Sequence, residues 1–214
     1  MKNSIILLSL MLSLSVNAQF HIAKDEVESG NHYIETNYET FCKYTTFTSV
    51  FPFKMSLACI VEADFKQRYF IGIDMCYFRK IYYPKGYKVI LKLDNDENLI
   101  LYNTRDISEN DNTIERFGFN EIRYHIHPYF ELDNDARDKL LHHDVVKIRI
   151  QSDWGYDNSS LKNPYIDLPN KKYKSFQKFE FRYVYLNANK VLLERILGND
   201  AKPTSNEGKL LEDF

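Results

Sequence analysis

The sequence predicts an α+β fold: a single domain, mainly antiparallel β-sheet, with a short helix near residues 133–142 and a longer C-terminal helix near 174–197. Three observations carry this. Aromatic residues make up 15% of the chain, almost all of them Tyr and Phe, which favour strands. Period-two alternation of apolar and polar side chains recurs in several stretches separated by turn residues. Finally, the run from Arg123 to Trp154 reads as strand, capped helix and strand, and holds four of the six histidines and the sole tryptophan.

In chain order, residues 1–18 read as a signal peptide. Lys2 supplies the positive end, Ile5 to Leu14 is an almost unbroken apolar run, and Val16-Asn17-Ala18 fits a cleavage site before Gln19. The run is shorter than the roughly 20 residues of a permanent span. The expectation is a secreted or periplasmic protein with no stable membrane insertion after the leader is removed.

Residues 19–40 are expected to form a lead-in segment, because Gln19 to Thr36 is polar and lacks periodicity. The domain itself is expected over 41–198. Phe41 to Phe53 suggests a strand ended by Pro52. Ser56 to Asp64 and Arg68 to Phe78 suggest two long strands joined around Phe65-Lys66-Gln67, the second apolar on both faces and therefore central. Tyr82 to Gly86 supplies a turn. Tyr87, Val89, Leu91 and Leu93 then alternate with lysines, turn at Asp94 to Asn98 and return through Leu99 to Tyr102 as a hairpin. Ile107 to Asn120 reads as an exposed loop.

Ile122, Tyr124 and Ile126 alternate with Arg123, His125 and His127, and the apolar set is expected to face inward. Pro128 ends that strand or sets it at an edge. Asp133 stands at an N-cap, Ala136 and Leu140 lie one turn apart with Leu141 beside them, and Lys139, His142 and His143 collect at the helix C-terminus. Val146, Ile148 and Ile150 begin the next half-buried strand. After a loop carrying a short extended piece at Tyr165 to Leu168, residues 173–197 fit either of two patterns. Length and the closing Gly198 favour one helix; a strand followed by a helix from Asn187 is the alternative. Residues 199–214 read as a flexible tail.

Tyr124-x-Ile126, Leu132-Asp133, Leu140 and Val146-x-Ile148-x-Ile150 with Trp154-Gly155, preceded by the lysine-bearing hairpin, resemble a pattern in small, uncharacterised exported β-rich proteins of Gram-negative bacteria. The resemblance spans roughly residues 87–155. It implies an architecture and carries over no functional residue.

Composition excludes several classes. The formal charge is −2, and loss of Lys2 with the leader makes it −3, so there is no basic footprint for nucleic acid. Cys42, Cys59 and Cys76 are odd in number and none forms a CxxC pair; three buried thiols are expected, a Cys59–Cys76 bridge being the alternative. No GxSxG occurs, and the acidic run from Asp94 to Asn98 lacks the glycine and the closing glutamate of a calcium loop.

Two candidate sites remain. His125 and His127 project from one strand face, close enough for two imidazoles to reach one ion such as zinc, with His142 or His143, and Asp144, returning from the helix end as further ligands. The plain alternative places Arg123, His125 and His127 on a solvated face. Trp154, Tyr156 and Tyr165 surround the loop after the last clear strand, where aromatics can stack on sugar rings or anchor a protein. Together these point to a non-enzymatic extracytoplasmic domain that needs no cofactor and binds an envelope protein or glycan. A small metal-dependent enzyme or metal-binding protein using His125 and His127 is the alternative.

Overall fold

The computed structural model describes residues 20–45, 50–117, 121–152, 165–168 and 179–198. The expected leader over 1–18 and tail over 199–214 lie outside them. The first hairpin pairs β1 (Ile22–Glu28) with β2 (Asn31–Thr36), and β3 (Glu39–Thr45), β4 (Val50–Val61) and β5 (Gln67–Tyr77) follow. The lysine hairpin is β6 (Lys88–Leu93) and β7 (Asn98–Tyr102). Then come β8 (Thr113–Phe117), β9 (Glu121–Ile126), β10 (Tyr129–Leu132), helix α1 (Asn134–His142), β11 (Val145–Gln151), β12 (Tyr165–Leu168) and helix α2 (Phe181–Gly198). The result is the expected α+β fold, mainly antiparallel sheet with a short helix and a longer C-terminal one.

An eight-stranded sheet runs in the order β1-β2-β4-β5-β9-β8, with β3 also on β4 and β10 also on β5; a second sheet runs β12-β11-β6-β7. Strand periodicity divides the large sheet into two chemistries. Ile34, Met55, Leu57, Cys59, Ile71 and Ile73 point into the main core, which α2 enters through Phe181, Val184, Tyr185, Ala188 and Leu192. That spacing is the one-sided stripe of an amphipathic helix. The opposite face carries the buried polar residues Glu35, Ser56, Asp74, Arg123 and His125, together with a smaller apolar cluster of Tyr33, Ala58, Ile60, Phe70 and Tyr129.

Several expectations need correction. The lead-in is a hairpin belonging to the main sheet. Ser29 (φ 50°) and Gly30 (φ 84°) form its two-residue turn, and two positive φ angles match the right-handed twist of the flanking strands. Pro52 lies within β4 and does not end a strand. It faces Lys43 of β3, while the β5 ladder begins only at Lys54, so its missing N–H leaves that ladder intact. Residues 107–120 are not simply an exposed loop: Ile107 is buried, Glu109–Asp111 form a 3-10 turn, and β8 pairs with β9.

The departure at β9 matters most. Ile126 enters the main core as expected, but Ile122 on the same face is 47% exposed, while Arg123 and His125 on the other face are only 2% and 7% exposed. Cys76↔His125 pairing places the basic residues on the polar face, and carboxylates there receive them. Period two fixes which side chains share a face, not which face is covered. A bulge between Val145 and Lys147 likewise turns Val145 inward and leaves Val146 exposed, and Leu141 sits at the rim of α1.

Other expectations hold. Asp133 caps α1, its carboxylate accepting from Ala136 N at 2.7 Å. α2 begins at Phe181; the stretch 174–178 of the expected helix lies outside the described residues, and no strand precedes the helix at 179–185. All three cysteines are buried, unbridged thiols.

Candidate functional site

Because β1 and β2 are antiparallel, residues facing each other across the ladder share a face. Lys24 opposes Glu35, Glu26 opposes Tyr33, and Glu28 opposes Asn31. The same face continues through Ser56, Ala58 and Ile60 of β4 to Phe70, Gly72 and Asp74 of β5. Above it lies a cavity of about 380 Å³. Its walls include side chains from β1 and from Thr113 of β8, the two ends of the sheet, so the sheet curls around it.

The floor is a hydroxyl network around one buried carboxylate. Glu35, 2% exposed, accepts hydrogen bonds from Tyr33 Oη at 2.5 Å, Ser56 Oγ at 2.6 Å and Tyr129 Oη at 2.9 Å. Tyr38 Oη donates to Tyr129 Oη at 3.1 Å. Burial first, then the Glu35 charge, pushes all three tyrosine phenols above their ordinary range, which keeps them protonated donors. Gly72 makes the convergence possible: a Cβ there would stand 2.5 Å from Ser56 Oγ and 2.6 Å from Tyr38 Oη.

A second cluster adjoins it. Asp74 is buried and meets His125 Nδ1 at 2.7 Å, His127 Nε2 at 3.6 Å and Lys54 Nζ at 3.6 Å. His125 Nε2 faces Glu115 at 3.0 Å, so the imidazole lies between two carboxylates. Its hydrogen bonds, that to Asp74 foremost, lift its pKa to about 10 and keep it an imidazolium. Burial works to raise the Asp74 pKa, but the His125 bond and the surrounding cations pull it below the usual carboxylate value. His127 behaves oppositely. Burial lowers its pKa, leaving a neutral imidazole on the cavity wall with its ring edge-on to Tyr38 at 5.2 Å.

The expected metal ligands therefore divide. His125 and His127 do approach a common atom, Asp74 Oδ1, but His125 is buried in ion pairs rather than solvated. His143 sits apart at the α1 terminus, 3.0 Å from Asp94 and 3.4 Å from Asn95. Among the described residues no group of three or more His, Cys, Asp or Glu is arranged to hold a metal ion. Trp154 and Tyr156 lie outside the described residues, and of Tyr165 only the backbone is described, opening β12 opposite Gln151.

Sequence reasoning missed the glutamates of the first hairpin, Tyr33, Tyr38 and Arg105. A signal existed: Glu26 and Glu28, then Tyr33 and Glu35, alternate on either side of Ser29-Gly30. Three polar atoms in the cavity wall, Glu26 Oε2, Glu28 Oε2 and Arg105 Nε, are buried without a hydrogen-bond partner among the described residues. Ser56, the hydroxyl nearest the floor, is fully buried and already donates to Glu35, so it is not set up as a nucleophile.

Fold and site together define an α+β domain whose curled antiparallel sheet encloses a polar, tyrosine-floored cavity of small-molecule size. Comparison with known proteins found no matching family model, no matching curated protein and no matching solved structure. No described helix is long and apolar enough to cross a membrane.

Proposed function

We propose that this chain is a non-enzymatic extracytoplasmic binding domain and that its ligand is a glycan, one sugar unit of which enters the cavity. The compartment follows from the leader-like first eighteen residues, and the ligand class from the cavity. One observation carries the reading: Glu26 Oε2, Glu28 Oε2 and Arg105 Nε are stranded in the wall of a single cavity. Each belongs to a half-buried side chain, and a polar atom left buried without a partner costs about 1–3 kcal/mol, which a ligand bearing both donors and acceptors offsets. Sugar hydroxyls are both, and the tyrosine rings offer apolar surface to a pyranose face.

A concave site suits a small polar unit better than a flat protein epitope, which favours the glycan over an envelope protein. A metal-dependent role through His125 and His127 has less support, because both nitrogens of His125 already face carboxylates. The test is calorimetric titration with mono- and disaccharides up to about 10 mM, enough to reveal binding as weak as about 4 kcal/mol. Saturable binding of at least one sugar is expected. A flat response across the panel would end the proposal.

A further inference from the structure

The cavity is not electrically neutral. Lys24 and Arg105 face four acids in its lining, Glu26, Glu28, Glu35 and Asp111. Glu35 is already served by three hydroxyl donors, but one oxygen each of Glu26 and Glu28 has none. These two glutamates alternate on β1, so their side chains leave the same face, separated by one strand repeat of about 7 Å. Tyr33 stands directly across from Glu26, and the Lys24 ammonium lies 5.8 Å from the Tyr33 ring centroid. That ring is thus already paired with a cation of the protein itself.

We infer that the bound sugar is an amino sugar with an unacetylated, protonated amine, held between Glu26 and Glu28. This rests on the glycan reading and narrows it. An ammonium brings three donors, enough to serve both stranded carboxylate oxygens. A neutral sugar can donate to the same oxygens, but only through hydroxyls, and a hydrogen bond between two charged groups is roughly twice as strong. An acetylated amine loses the charge and two of the three donors. Arg105 Nε, the third unpartnered atom, supplies a donor for an acceptor oxygen elsewhere on the ring.

Titration of the full chain with glucose, glucosamine, N-acetylglucosamine and ethylamine tests this. Glucosamine should bind at least about tenfold tighter than glucose, a ratio equal to 1.4 kcal/mol, and N-acetylglucosamine no tighter than glucose. Glu26→Gln and Glu28→Gln, each verified as folded by circular dichroism, should each erase most of the preference for glucosamine over glucose, whatever they do to glucose itself. Equal affinity for glucose and glucosamine would overturn the amine inference and leave the glycan reading standing. Binding of ethylamine alone, lost in the glutamine variants, would support amine recognition and overturn the sugar. Binding of none of the four probes would overturn both.

Discussion

At Gly72 the substitution of one hydrogen by a methyl group reaches three residues of the cavity floor. The added carbon would stand 2.5 Å from Ser56 Oγ, 2.6 Å from Tyr38 Oη and 3.0 Å from Tyr129 Cε1. None of the three can retreat without breaking the hydroxyl network on Glu35. Gly72→Ala should therefore cost about 1–3 kcal/mol, the usual price of overpacking, and weaken sugar binding in the same variant. Urea denaturation and titration check the pair; an unchanged midpoint would mean that the floor is looser than its geometry. His125 gives a pH-dependent prediction. Its folded pKa of about 10 lies above the unfolded value of about 6.5, so its contribution is complete below pH 6.5 and is lost as pH rises through 10. The lowered Asp74 pKa has the opposite sign: its contribution is present above the unfolded carboxylate value and lost as pH falls through the folded one. His125→Gln should cost about 3–5 kcal/mol near pH 6, as breaking a buried pair does, and the gap to wild type should close toward pH 10. A gap that stays constant over that range would show that the imidazole is not charged in the fold.

At the scale of elements, α2 shows how an amphipathic stripe sorts consequences along one helix. Leu192 is 0% exposed within the core and Leu197 is 80% exposed one turn further on. Leu192→Ala should cost about 2–5 kcal/mol and Leu197→Ala under about 0.5 kcal/mol, as guanidinium melts of the two variants would report. Elements whose signal is local were legible in the sequence. Asp133 ahead of Ala136 and Leu140 marked α1, and the alternation from Val89 to Leu93 with an acidic turn marked β6 and β7. Elements whose assignment depends on a distant partner were not. β8 contains two charged residues and one exposed isoleucine, and is a strand only because β9 lies beside it. The β1–β2 hairpin is polar because its side chains line a cavity, so the very property that gives it a role hid it as a strand. For the same reason, the inward turn of Arg123 and His125 could not be read from alternation alone: Glu115 comes from β8, Glu121 from β9 and Asp74 from β5. The two histidines stood out in the sequence, but the carboxylates and tyrosines that give them surroundings are up to about a hundred residues away in the chain.

At the scale of the whole molecule, the cavity joins parts of unequal stability. β4 and β5 lie inside the large sheet, paired on both sides and packed against the core. β1 is an end strand, paired only with β2 in the sheet and tied to the rest by Asp25, which holds His32 at 2.6 Å and the Arg195 guanidinium of α2. Opening free energies span from near zero at such edges to the global value in the centre. Amide exchange should therefore be fastest in β1, slower in β2 and slowest in β4 and β5. A ligand that spans Glu26, Glu28, Tyr33 and Arg105 bridges the end strand to the segment after β7, so it should act on this gradient rather than uniformly. At a hundredfold excess over its Kd, a ligand bound only by the folded state adds about 2.7 kcal/mol. In exchange measurements that should appear as roughly a hundredfold slowing in β1 and β2, provided they open without the rest of the sheet. If the added protection falls on β6, β7 and β11 instead, the ligand is sitting on the second sheet, and the cavity is not where it binds.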